Sequence, residues 1–258
     1  MLVADSGKGT ISNSQVSGML DDELLLNMFL LFACYAYVLT VILVSGKAAR
    51  LFGFSGKVSR KLLHIMIGNL PFLIPLFTLN SFPLNFPFFV AAPFVLVTFL
   101  ATPYSPIPAV TQKFKGLTGI TEDGHHLGLV YYAFSYTILA LFFASKPYII
   151  AAGILPMAYG DASAAIIGHK YGKITYNVFT KKSIEGSVAM FLVSFLSVEA
   201  SLFFFSWIYP LPIASLTLAT LAVALIVTVV EALSPKGFDN LAVPLLGALM
   251  FLLISGGI

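Results

Sequence analysis

The chain has 258 residues, of which 59% are hydrophobic, 14% aromatic and 10% charged, with a net charge of +3 and a mean hydropathy of +0.96. Soluble domains are about 45–50% apolar and about 25% charged, so these few charges cannot cover a water-soluble globule of this length. A soluble enzyme, a disordered chain and a nucleic-acid binder are excluded, and a membrane protein is expected.

Residues 1–23 carry Asp5, Lys8, Asp21, Asp22 and Glu23 and read as a polar tail. No basic segment leads directly into a short apolar one, so no cleaved signal peptide is expected. Eight apolar runs follow, at 24–45, 62–79, 82–101, 127–145, 147–168, 187–209, 211–233 and 240–257. A helix needs roughly 20 apolar residues to cross a hydrocarbon core of about 30 Å. The runs are too long for barrel strands and do not alternate with period two. The expected fold is all-α, a polytopic transmembrane bundle of about eight spans, with residues 24–258 as one domain. Pro71, Pro75, Pro93 and Pro156 lie inside runs and predict kinks. Cys34 is the only cysteine, so no intrachain disulfide forms.

Eight spans place the joints 46–61, 102–126, 169–186 and 234–239 on one side. These joints hold Lys47, Arg50, Lys57, Arg60, Lys61, Lys113, Lys115, Lys170, Lys173, Lys181, Lys182 and Lys236, against Lys8 and Lys146 on the other. Basic residues concentrate in cytoplasmic joints, which predicts a cytoplasmic face here and both termini on the far side.

The chemically informative residues gather at that face. Asp161 lies in the fifth run, and a carboxylate deep in an apolar helix costs about 2.5–3.5 kcal/mol on insertion scales. It needs a lysine, a metal ion or a water-filled cavity. Gly168 and Gly172 follow one helical turn apart, where a backbone can approach another helix or a phosphate. Lys181, Lys182, Ser183, Glu185 and Gly186 stand at the start of the sixth run, where two ammonium groups and the positive end of a helix dipole suit a polyanion. Carboxylates beside basic residues also suit Mg²⁺ held jointly with nucleotide phosphates. The plainer readings are a small-residue packing pair for the glycines and topology-setting charges for the lysines. No soluble-type P-loop is present, because the spacing from Gly168 to Lys173 is one residue short and Ile174 stands where Ser or Thr should hold the metal.

At these residues the chain resembles the CTP-dependent isoprenoid alcohol kinases, the dolichol and phytol kinase family. The family motif D-x-x-A-x-x-x-G-x-x-x-G-x8-K-K-T-x-E-G is matched by Asp161, Ala164, Gly168, Gly172, Lys181, Lys182, Glu185 and Gly186, with Ser183 for Thr keeping the hydroxyl. Arg60, Lys61 and His64 before the second span, His126 and Gly128 before the fourth, and Glu231, Asp239 and Asn240 around the last joint agree with the family. The similarity covers about residues 58–250. The short length and the stretches 185–191 and 234–240 look more like phytol kinases than the longer dolichol kinases. The resemblance implies transfer of the γ-phosphoryl group of CTP to a membrane-dissolved prenol.

Residue roles are expected as follows. Asp161 and Asp239 are the candidate Mg²⁺ carboxylates, with Asn240 adding a carbonyl or a base contact. Lys181 and Lys182 neutralise the phosphates, and Gly168, Gly172, Ser183 and Gly186 let the backbone come close. Glu185 orients a lysine, binds metal or helps to deprotonate the prenol. Arg60, Lys61 and His64, one turn apart, face the phosphates or anchor the span. His126 is a nucleotide-contact or base candidate; a zinc site with His125, Glu122 and Asp123 is rejected, because adjacent histidines diverge on a helix and no third ligand is sensibly spaced. Glu199, midway along the sixth run, is either protonated in a helix interface or a contact for the prenol hydroxyl or a cavity water. A phospholipid cytidylyltransferase and a small polytopic transporter are the alternatives weighed.

Overall fold

The computed structural model describes residues 13–52, 56–107, 109, 111 and 126–257. Residues 1–12 of the polar tail, Lys113, Lys115, Glu122, Asp123 and His125 lie outside the described residues. In chain order the elements are α1 (Asn13–Phe52), α2 (Gly56–Ile67), a 3-10 segment (Leu70–Leu76), β1 (Asn80–Ser81), β2 (Leu84–Asn85), α3 (Phe86–Leu100) and α4 (Gly128–Phe143). Then come α5 (Pro147–Leu155), a π-turn (Pro156–Gly160), α6 (Asp161–Tyr171), β3 (Thr175–Asn177), β4 (Lys181–Ser183), α7 (Ile184–Ser206), α8 (Ile213–Leu233) and α9 (Asp239–Ser255). The strands form two antiparallel hairpins, β1 with β2 and β3 with β4.

The all-α expectation holds, and each apolar run contains helix. Four helical stretches are long and apolar enough to cross a membrane: Leu20–Ser45, Pro147–Tyr171, Ile184–Ser206 and Ile213–Leu233. Phe86–Leu100, Gly128–Phe143 and Asp239–Ser255 are shorter apolar helices. The run at 62–79 is divided between α2 and the 3-10 segment, because Pro71 and Pro75 lack the N–H that an α-helix needs. Among the described residues four helices are of spanning length, and the remaining expected spans fall on the three shorter apolar helices and the divided run. Helix α1 begins at Asn13, so residues 13–23 of the polar tail are its first turns.

Helix α5 is the centre of the bundle. All nine of its residues are buried, and it packs against α4, α7, α9 and the 3-10 segment. A helix that is apolar on every side belongs in such a position. Pro156 then lacks an N–H, and the Asp161 N–H reaches back to the Pro156 carbonyl in π-type spacing. The extra residue per turn rephases the helix just before Asp161, as π-turns next to functional residues often do. At the far end of α5, Lys146 donates to the Gly257 carbonyl just beyond α9, where a cation complements the helix dipole.

Asn27 ties the loop after the 3-10 segment to α1. It is fully buried, donates to Thr78 Oγ1 at 2.7 Å and accepts from the Leu79 N–H at 3.2 Å. Asn27→Leu leaves that N–H unpaired and is expected to destabilise the fold by about 1–3 kcal/mol. Thermal unfolding in detergent measures it, and an unchanged midpoint contradicts the assignment.

Candidate active site

Five elements bring charged side chains to one end of the bundle. Lys61 of α2 donates to the Asp161 carboxylate at the start of α6, with the two side chains 12% and 5% exposed. The carboxylate that the sequence left in need of a partner has found a lysine. Lys182 of β4 donates to both the carboxylate and the main-chain carbonyl of Glu231, near the end of α8. These side chains are 17% and 8% exposed. Glu231 and Lys182 of the second pair act electrostatically on Lys61 of the first. Burial pushes the Lys61 ammonium down from the usual lysine range to about 7; Asp239 and Glu231 act in the opposite direction, whereas Arg60 and Lys182 add to the lowering. Arg60 itself is buried beside Lys61.

The glycine-rich motif works here as a packing unit. Asp161, Ala164 and Gly168 lie on one stripe of α6, three and four residues apart. A Cβ on Gly168 would sit 2.9 Å from Ser183 Oγ, one on Gly172 2.8 Å from Ser183 Cβ, and one on Gly186 2.9 Å from the Ala164 carbonyl. Any side chain at these three positions would separate α6 from the start of α7. Ser183 caps α7 by accepting the Gly186 N–H at 3.1 Å, the usual means of satisfying a free N–H in a first turn. Glu185 accepts the Lys173 and Ile174 N–H groups at 2.9 and 3.3 Å, which holds the segment after α6 against α7.

Strand β4 separates the two motif lysines. Successive strand residues point to opposite faces, so Lys182 turns inward to Glu231 while Lys181 is exposed. Asn240 is buried; its N–H donates to Asp239 Oδ1 at 3.0 Å and its carbonyl accepts from Ser135 at 3.2 Å. The Asn240 Oδ1 atom has no hydrogen-bond partner among the described residues. His64 is fully buried, its ring stacked on Tyr132 with centroids 4.4 Å apart, and neither ring nitrogen has a partner among the described residues. His126, two residues before α4, stands edge-on to Tyr104 at 6.3 Å. In α7, Glu199 keeps one buried carboxylate oxygen without a partner among the described residues.

The sequence reading did not place Glu231 or Tyr132 in the site. Glu231 carried the same signal as Asp161, a carboxylate near the end of an apolar run. Tyr132 carried none, because a tyrosine in an apolar helix reads as core. Among the described residues no three His, Cys, Asp or Glu side chains converge as a metal cage. Of the expected metal residues, Asp161 is held by Lys61, Asp239 accepts the Asn240 N–H, and Asn240 Oδ1 has no partner among the described residues. Such a sparse set suits Mg²⁺, which takes one or two carboxylates and completes its shell with water and substrate phosphates.

The packing unit predicts a graded response. Ser183→Ala removes only the cap and should cost about 0.5–2 kcal/mol, whereas Gly168→Leu forces the helices apart and should lower the thermal midpoint further. Equal midpoints for both variants and the parent protein contradict the close approach.

No family model matches the chain, and no solved structure matches it. Curated proteins do. A phytol kinase of Synechocystis is 32% identical over 218 residues, covering 83% of this chain and 86% of that protein. A probable chloroplastic phytol kinase of Triticum aestivum is 31% identical over 211 residues, covering 77% of this chain and 68% of that protein. Phytol kinase 1 of Arabidopsis thaliana, also chloroplastic, is 31% identical over 199 residues, covering 73% and 63%. With identity of this level spread over most of both chains, the protein belongs to the phytol kinase family.

Proposed function

We infer that the protein is a multi-pass membrane kinase that moves the γ-phosphoryl group of CTP to the hydroxyl of a prenol such as phytol, giving prenyl monophosphate and CDP. The observation that carries this reading is the presence of two buried ion pairs, Lys61–Asp161 and Lys182–Glu231, with Glu231 and Lys182 within electrostatic range of Lys61. The nucleotide is water-soluble and the prenol tail is not, so the reaction belongs where the bundle interior meets water. The basic joints make that end cytoplasmic.

Phosphoryl transfer asks mainly for positioning and for neutralisation of charge on the phosphate oxygens. Lys182, held by Glu231, presents an ammonium to the phosphates, and Lys61 and Arg60 supply further positive charge from α2. Lys181 meets the nucleotide from the exposed rim. Gly168, Gly172, Ser183 and Gly186 act by holding the lysine-bearing strand tightly to α6, and Glu185 fixes the segment between them. Asp161, Asp239 and Asn240 Oδ1 would hold Mg²⁺, which when bound neutralises charge on the phosphates. When a nucleotide enters, its anionic oxygens take over the lysines and free Asp161 from its ion pair.

The test uses CTP labelled in the γ-phosphate, purified protein and phytol or geranylgeraniol. Label is expected in the lipid phosphate; label in pyrophosphate overturns the kinase reading in favour of nucleotidyl transfer. Removing Mg²⁺ with EDTA should abolish turnover, and adding it back should restore it. Asp161→Asn should lower kcat about a hundredfold or more, the scale of losing a transition-state charge contact, with membrane insertion unchanged. Lys182→Ala should raise KM for CTP more than KM for the prenol, and equal effects on both contradict its role.

A further inference from the structure

The segment between α6 and α7 is basic and free of acid. No Asp or Glu stands between Asp161 and Glu185, while His169, Lys170, Lys173, Lys181 and Lys182 do. Strands β3 and β4 are polar, but the turn that their register leaves between Asn177 and Lys181 opens with Val178 and Phe179. Both are exposed, Phe179 by 65%. Tyr171, Ile174 and Ile184 around the base of the hairpin are exposed as well. Large apolar side chains gathered on a surface between two spanning helices mark a contact. The Lys170 ammonium stands 5.0 Å from the centre of the Tyr171 ring, which pairs a cation with an aromatic face at this surface.

What covers this surface follows from α7. Ile184, Val188, Leu192 and Leu196 are all exposed, and a spacing of four sets them along one side of the helix. Helix α7 is long and apolar enough to cross a membrane, so this side faces lipid. Ile184 heads the stripe, and its N–H donates to the Ile174 carbonyl at 2.9 Å. The hairpin thus begins at the level where the lipid-facing stripe ends. Tyr176 and Ser187 share a hydrogen bond of 2.6 Å, and Glu185 holds the Lys173 and Ile174 N–H groups, which fixes the base of the hairpin to the first turn of α7. Each strand has three residues, a reach of about 10 Å. The tip therefore stays near the membrane surface, where aromatic side chains settle at headgroup level and lysines meet acidic lipids.

We propose that the β3–β4 hairpin seats on the bilayer beside α7, with Val178 and Phe179 inserted among the lipid headgroups and Lys170 and Lys173 against the phosphates of anionic lipids. The inference rests on the membrane-spanning reading of the chain and is independent of phosphoryl transfer. The charges are complementary, since the segment from 162 to 184 has lysines and no carboxylate. A soluble partner fits less well, because the exposed apolar residues continue the side of α7 that already faces lipid. On the kinase reading the seating has a consequence: β4 carries Lys182 on its inner side, so the depth of the hairpin sets the height of that lysine relative to the headgroups.

The test is fluorescence quenching on the full chain in lipid nanodiscs loaded with one chain each. Trp207 is the only tryptophan, so Phe179→Trp in a Trp207→Phe background puts a single reporter at the tip. Phosphatidylcholine brominated along its acyl chains is expected to quench the reporter, and aqueous acrylamide to quench it weakly. Raising phosphatidylglycerol from none to about a third of the lipid should lower acrylamide quenching about twofold or more, since each lysine near an acidic surface shifts the population by up to about fivefold. Lys170→Gln combined with Lys173→Gln should remove that dependence with the thermal midpoint unchanged, because both residues are exposed. A reporter open to acrylamide and untouched by bromine in every lipid places the tip in water and overturns the proposal. Bromine quenching that ignores both the anionic lipid and the two lysines overturns the headgroup contact that the proposal requires. Shielding that appears only with CTP and Mg²⁺ makes the hairpin a lid over nucleotide, and shielding that appears only with two chains per disc makes it an interface between copies; either result overturns the proposal. Transfer of label from γ-labelled CTP on the same discs tests the kinase reading separately.

Discussion

Charge buried at the end of an apolar bundle must be paired, and this constraint organises the molecule. Stripping an ion of water costs several kcal/mol even after the protein relaxes. Lys61 and Asp161 meet that cost with each other, as do Lys182 and Glu231. The pairs join α2 to α6 and β4 to α8, so elements far apart in the chain must end at the same level. An interior built this way is also suited to exchange, because phosphate oxygens can replace a carboxylate beside a lysine without stranding either charge.

The packing beneath the ion pairs is what keeps them in register. Helix α5 is buried on all sides and anchors α4, α7 and α9. The π-turn at Pro156–Gly160 rephases the helix before Asp161. Gly168, Gly172 and Gly186 bring α6 and α7 into contact through Ser183, which sets where β4 delivers Lys182. A motif spread over 26 residues of sequence thus becomes one compact joint with a lysine on its inner side.

The apolar runs were legible because lipid demands long hydrocarbon segments, and the helix positions follow them closely. Their lengths were less legible, since Pro71 and Pro75 place a 3-10 segment at Leu70–Leu76 inside one run, an effect that depends on how neighbours satisfy the backbone. Asp161 announced itself as a carboxylate in an apolar helix, and its need for a partner could be stated before that partner was known. That Lys61 fills the need was hidden, because the two residues lie a hundred positions apart and several lysines were equally eligible. Glu231 went unassigned for the same reason. The glycines supported two readings, and the contacts around Ser183 make them a helix-packing surface. The opposite orientations of Lys181 and Lys182 follow from a two-residue strand period that a short polar hairpin does not display in its sequence.

On the proposed reading, groups from α2, α6 and β4 share one bound nucleotide. Equilibrium binding of CTP with Mg²⁺ to the purified protein in nanodiscs tests it most directly, comparing the parent chain with Lys61→Met, Asp161→Asn and Lys182→Met. The account predicts that all three weaken CTP binding while the protein stays folded. Undiminished affinity in Lys61→Met and Asp161→Asn, with loss only in Lys182→Met, would contradict a shared site.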